Sequence, residues 1–181
     1  DKFKERGWNT IGIDPAENIV PKAQQNHRVI NDYFNTKTAT ELADVAPDVI
    51  VAQNVVAHNY DVLEFMRNVQ RIMHLDSYFF MQISQADMIR HNEFDTLYHE
   101  HINFFNIRSL KEAGLRAGLN LIDVIRQPIH GNSYICIYSK VKNRPYHINN
   151  LIALDQADGM YDMKTYEAWG QYAENTKQDI N

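Results

Sequence analysis

The chain holds one cysteine, Cys136, among 181 residues. A single thiol forms no internal disulfide and builds no zinc ribbon, so the stretch reads as intracellular, cytoplasmic and free of a cysteine-based metal site. No apolar run approaches the roughly 20 residues that a membrane span needs, and the N-terminal residues lack the apolar centre of a signal peptide. Basic residues are few and scattered: 18 Lys and Arg stand against 23 Asp and Glu, for a formal net charge of -5. Without a Lys/Arg cluster the surface has no electrostatic grip on a phosphate backbone or an anionic membrane, which argues against nucleic acid and lipid as partners. Glycine is sparse too, 7 in all, and no G-x-G-x-x-G loop is present. The length suffices for one globular core with an appended element, not for a second full domain.

What is present alternates between two periods. Residues 1–6 are charged around Phe3 and run into Gly7, the pattern of a helix end closed by glycine. Residues 8–13 (WNTIGI) make a short strand that passes into Asp14-Pro15-Ala16-Glu17, where Asp14 suits an N-cap, Pro15 a first helical turn and Glu17 a capping-box spacing. Residues 28–31 are a weaker strand. Residues 48–54 (DVIVAQN) have the continuous apolar centre of a strand buried on both faces, which favours a parallel sheet. Val62, Phe65, Met66, Val69, Ile72 and Met73 recur at helical spacing, and residues 78–83 (YFFMQI) supply another buried strand. A helix over 107–118 and strands over 119–125 and 133–138 follow, the last two placed to pair antiparallel. The sum is a three-layer α/β sheet, whose ligands sit at the carboxyl ends of the strands.

The candidate residues therefore follow strands. Asp14 has two readings: a carboxylate that accepts both hydroxyls of a ribose, or a plain helix cap. Asn54 ends the most buried strand, to meet a ligand or merely to close it. Between residues 83 and 107 lies an insertion without periodicity, and such long segments inside compact domains are usually functional or disordered. It carries Tyr98-His99-Glu100-His101, the densest group of proton-transfer side chains in the chain. In a helical turn Tyr98 and His101 share a face, with histidine able to exchange a proton near neutrality and tyrosine able to stabilise an oxyanion. A polar surface loop is the plain alternative. A metal-dependent hydrolase or oxygenase using His58, His99 and His101 is a third. His130-Gly131-Asn132-Ser133 precedes the last strand, where a glycine turn admits a ligand or simply connects a hairpin. Cys136 and Met66 read as packing residues, as does the stripe Met163, Tyr166, Trp169 and Tyr172.

Taken in order, Gly12-Ile13-Asp14-Pro15-Ala16, Asn54-Val55-Val56-Ala57-His58, Phe94-Asp95-Thr96-Leu97-Tyr98-His99-Glu100-His101 and His130-Gly131-Asn132-Ser133 resemble the C-methyltransferases that modify nucleotide-linked keto-sugars. The Phe-Asp-Thr-x-Tyr-His-Glu-His string carries most of the resemblance, which spans nearly the whole chain. It implies a Rossmann-like class I methyltransferase core, with a mostly parallel sheet and an antiparallel last strand. Residues 1–145 would be that core, and 146–181 a linker and helix leading toward a C-terminal domain. It implies S-adenosylmethionine as cofactor, with Asp14 on its ribose and Asn54, Val55 and the segment to His58 beside its methionine end. It implies His101 as general base, with Tyr98, Glu100 and His58 around a keto-sugar or similar small carbonyl compound, His130 and Asn132 binding that substrate, and no metal.

Several parts of the family pattern have no counterpart here: the glycine-rich loop with the first strand of the sheet, an N-terminal cysteine-rich zinc module and a substrate-side C-terminal domain. The family's His-Gly-Gly-Ser is also His130-Gly131-Asn132-Ser133, which predicts an altered backbone where glycine alone would be at ease. We expect the natural polypeptide to extend upstream, and these 181 residues alone to bind cofactor weakly. A fragmentary or inactive methyltransferase-like binding module is the non-enzymatic alternative.

Overall fold

The computed structural model describes residues 2–84, 87–94, 97–129, 132–142 and 146–180. A single helical turn, α1 (Lys2–Glu5), ends at Gly7, whose φ of 81° lets the Trp8 amide donate to the Phe3 carbonyl and the Gly7 amide to that of Lys4. This is the Schellman closure expected of the glycine. Strand β1 (Ile11–Ile13) then pairs in parallel with β2 (Arg28–Ile30), joined through the short helix α2 (Val20–Ala23).

Helix α2 starts later than the sequence predicts, and Asp14 does not cap it. The Asp14 carboxylate accepts the Ala16 amide at 2.8 Å in a tight turn, and its carbonyl accepts the Asn31 side-chain amide at 2.9 Å. The Ala16 contact is one a cap would make, but the Asp14 carbonyl that would receive the first helical amide is met by Asn31 instead. Val20 and Pro21 open α2 instead, behind Ile19, which offers no side-chain cap.

A four-stranded sheet carries the rest, in the spatial order β3 (Val49–Gln53), β4 (Tyr78–Ser84), β6 (Ser133–Ser139), β5 (Asn120–Gln127). Strands β3 and β4 are parallel, and β6 runs antiparallel to both β4 and β5. The pairing of β5 with β6 is thus as read from sequence, whereas the insertion of β6 between β5 and the parallel strands is a tertiary outcome. Helices α3 (Thr36–Glu41), α4 (Val62–Ile72), α5 (Asp87–Arg90), α6 (Ile107–Arg116), α7 (Tyr146–Ala157) and α8 (Met163–Ile180) complete the order. Asp61 caps α4, and Asn35 and Asn106 make reciprocal capping boxes with Thr38 and Ser109.

Phe65, Met66 and Val69 of α4 and Ile107 and Leu110 of α6 bury one sheet face, formed by Phe79, Met81, Ile83, Tyr134, Cys136 and Tyr138. A smaller cluster of Ala39, Leu42 and Ile72 receives Ile11 and Ile13 from β1, Ile30 from β2 and Ile50 from β3, so the two sheets share one apolar support. Strand β3 is not buried on both faces as expected. Ala52 is buried and Ile50 packs inward, but Val51 is 46% exposed, because Val49 and Val51 border an open apolar trough of about 360 Å³ against Phe3 and Trp8. Among the described residues no helix is long and apolar enough to cross a membrane.

Candidate functional site

The exit of β3 is where separate parts of the chain meet. Asn54 adopts a left-handed φ of 51°, a conformation that asparagine tolerates, while its amide continues the ladder to the Gln82 carbonyl at 3.1 Å. The chain turns sharply into a 3-10 helix, Val56–His58, whose first two side chains are buried. Val55 and Asn54 stay exposed at the strand end.

Across this turn lies the segment 97–103. His58 Nδ1 sits 2.8 Å from the Glu100 carbonyl oxygen. A carbonyl oxygen only accepts, so Nδ1 carries the proton in this contact and a neutral His58 keeps its lone pair on Nε2. The His101 ring lies 4.9 Å from that of His58, centroid to centroid, and 4.2 Å from that of Tyr98. The Tyr98 hydroxyl is 3.1 Å from His101 Nε2. When Nε2 carries no hydrogen the phenol donates; when it does, Nε2–H donates to the phenol oxygen and the hydroxyl hydrogen turns toward another acceptor. The amide of His101 donates to the Tyr98 carbonyl at 3.0 Å, the single turn that places the two side chains together.

Three sequence-singled residues thus converge: His58, Tyr98 and His101. Glu100 joins by its backbone, since its carboxylate is turned to solvent beside His99. His99 is itself 91% exposed at its side chain, which separates it from His58 and His101. Among the described residues no three His, Cys, Asp or Glu side chains gather as a metal-ligand set, so the His58, His99 and His101 metal grouping is overturned. Its physical reason is the turn, which sends alternate side chains of the run in different directions.

Asp14 stands at the end of β1, half-buried, with one carboxylate oxygen held by the Ala16 amide. Asn132 adopts a positive φ of 88°, a conformation that favours glycine but that asparagine tolerates; its side-chain amide lies 3.5 Å from His91 Nδ1. His130 lies outside the described residues.

The insertion is held from behind by the C-terminal helices. Arg90 donates to Asp155 at 2.7 Å and to Asp158 at 2.9 Å, and Asp155 is 1% exposed. Tyr161 also donates to Asp155, at 3.1 Å; burial, then the adjoining carboxylate, push its hydroxyl up to about 12. Phe94 stacks on Trp169 and Tyr172 of α8, with centroids 5.1 and 6.0 Å apart, which gives the C-terminal aromatic stripe its partner. Sequence reasoning did not single out Asn103. Its one signal was a polar residue between Ile102 and Phe104, two places after His101.

Residues 1–124 match the family model described as "Methyltransferase domain". Over 186 positions the chain is 24% identical to the C-methyltransferase NovU of Streptomyces niveus, covering 98% of this chain and 44% of that protein. The chain therefore spans less than half the length of the curated relative it matches. Among solved structures it resembles a SAM-dependent methyltransferase of Methanosarcina mazei, with TM-score 0.60, 11% identity and coverage of 78% of this chain and 86% of that one. It also resembles a Burkholderia thailandensis 1,6-didemethyltoxoflavin-N1-methyltransferase with bound S-adenosylhomocysteine, at TM-score 0.57 and 15% identity over 78% of this chain and 65% of that one. At these identities the likeness is one of fold.

Proposed function

The chain belongs to the methyltransferase-domain family, with its Rossmann-like α/β fold, and from that premise we propose that the protein moves a methyl group from S-adenosylmethionine to a carbon beside a ketone, with His101 as base. The observation that carries this reading is the meeting of His58, Tyr98 and His101 at the carboxyl end of β3, the position where α/β sheets of this kind bind ligands. The match to a protein named as a C-methyltransferase favours carbon as acceptor; the nucleotide-linked keto-sugar rests on the sequence motifs alone.

The residues present fit the cofactor. Asp14 has one oxygen pinned by the Ala16 amide, so its carboxylate is oriented, and the other oxygen is available to accept from the ribose. Asn54 and Val55 are exposed residues at the end of β3, where the methionine end would lie. When bound, S-adenosylmethionine supplies a methyl group already activated by a positively charged sulfur. What remains for the protein is to align the acceptor carbon and remove its proton.

A carbon next to a carbonyl gives up its proton only to a base held close, and the electron pair of the broken C–H bond passes into an enolate. His101 takes that proton. With Nε2–H donating to the Tyr98 oxygen, the phenol hydrogen is left to point at the enolate oxygen, so charge on the substrate is met as it forms. His58, with Nδ1 committed to Glu100, lies against the His101 ring.

In the complete protein, His101→Asn is expected to lower turnover by about 100- to 10,000-fold, the range of a lost general base, with S-adenosylhomocysteine affinity within about twofold of wild type. Turnover that survives the substitution removes His101 from the role.

A further inference from the structure

The loop that carries the base is fastened to the strand end by four hydrogen bonds that cross some forty residues of sequence. The amides of Ile102 and Asn103 both donate to the Ala57 carbonyl, at 3.0 and 3.1 Å. The Asn103 side-chain amide donates to the Asn59 carbonyl at 2.5 Å. His58 Nδ1 closes the set on the Glu100 carbonyl at 2.8 Å. Asn59 is held in turn, its side chain donating to the Val55 carbonyl at 2.9 Å and its amide to that of Val56 at 3.2 Å.

We propose that Asn103 is a positioning residue, which locks the Tyr98–His101 turn onto the Val56–His58 turn and so sets where the base stands relative to the end of β3. This rests on the reading of His101 as base. Val56 and Ala57 are buried, so the turn they belong to is a rigid anchor, while Ile102 and Phe104 on either side of Asn103 are 39% and 40% exposed and supply little packing. Register between the two turns therefore depends on hydrogen bonds, and among the loop residues Glu100, Ile102 and Asn103 it is Asn103 that makes two of them, one from its backbone and one from its side chain. An amide side chain is what the position requires: the acceptor is a backbone carbonyl, so the group that reaches it must donate. Losing that bond frees the loop to shift. A misplacement of about 1 Å at a reacting group costs on the order of 100-fold in rate.

The test uses Asn103→Ala, Asn103→Asp and Asn103→Gln in the complete protein. Asp keeps the shape but sets a carboxylate against the Asn59 carbonyl, and Gln keeps the donor on a longer arm. Imidazole nitrogens read by long-range proton–nitrogen NMR need no turnover: wild-type His58 is expected as the Nδ1–H tautomer, with exchange between tautomers in the Ala and Asp variants and partial return in Gln. kcat should fall about 10- to 100-fold in Ala and Asp with KM within about threefold and S-adenosylhomocysteine affinity within about twofold, Gln lying between. An unchanged His58 signature with unchanged kcat in the Ala variant overturns the proposal. So does a loss of cofactor affinity matching the loss of kcat, which would mark a general structural role. If Ala and Asp fail to fold, Gln decides, by whether it holds or loses the His58 tautomer together with kcat. Failure of the base assignment is read separately, from turnover that persists in His101→Asn.

Discussion

Individual side chains here gain their properties from one or two neighbours. The Tyr98–His101 bond is a local product of a single turn, and His58 is assigned its tautomer by one carbonyl. Tyr161 shows the same dependence in a form that titration can follow. Its hydroxyl is pushed up to about 12 by burial and by the Asp155 carboxylate, against an ordinary tyrosine near 10 in the unfolded chain. A raised value in the folded state means that the protonated form is favoured there, so this contribution to stability is whole below about pH 10 and is lost as pH rises toward 12. We expect chemical denaturation to show stability falling over that window, with a shallower fall in Tyr161→Phe; identical slopes for the two proteins would contradict it. The surface pair Asp32 and Lys37 is the ordinary contrast: the hydrogen-bonded Lys37 ammonium draws the Asp32 carboxyl below its usual range.

Elements add a constraint that no residue has alone, the distance at which backbones pack. Helix α6 crosses β6 so closely that a Cβ at Gly114 would lie 2.7 Å from Cε1 of Tyr138 and 3.2 Å from the Leu119 carbonyl oxygen. Tyr138 is fixed from its other end, its hydroxyl donating to the Leu110 carbonyl of the same helix at 3.1 Å. Gly114→Ala should therefore destabilise the fold by about 1 to 3 kcal/mol through overpacking, outweighing the better helix propensity of alanine. Thermal unfolding of the variant checks this, and a gain in midpoint would mean that the helix can lift. The helical spacing of α4 and α6 was legible in the sequence because each exposes one apolar stripe to the sheet. Helix α2 was misplaced because Asp14 makes a cap-like bond to the Ala16 amide while its carbonyl is met by Asn31, seventeen residues away, and not by a helical amide.

At the scale of the whole molecule, β1 and β2 form a sheet of their own beside the four-stranded one, and the two meet through side chains of a shared apolar cluster. The cofactor contacts proposed for this chain are few: one oriented carboxylate, Asp14, and the backbone around Asn54 and Val55. The 181 residues by themselves are expected to bind S-adenosylmethionine weakly or not measurably in calorimetry, because no glycine-rich loop is present to present amides to the ligand. Tight binding by this stretch alone would show that the site needs nothing more.

Sequence by itself determined the α/β alternation, the antiparallel β5–β6 pair and the residue types of the candidate site, since hydrophobic period and side-chain chemistry are properties of a chain read in order. Only tertiary structure decided that β6 lies between β4 and β5, that His101 meets His58 while His99 and the Glu100 carboxylate turn outward, and that Asn103 ties the two turns together. Those outcomes depend on which groups forty or more residues apart come within hydrogen-bond reach, and no local pattern encodes a distance of that kind.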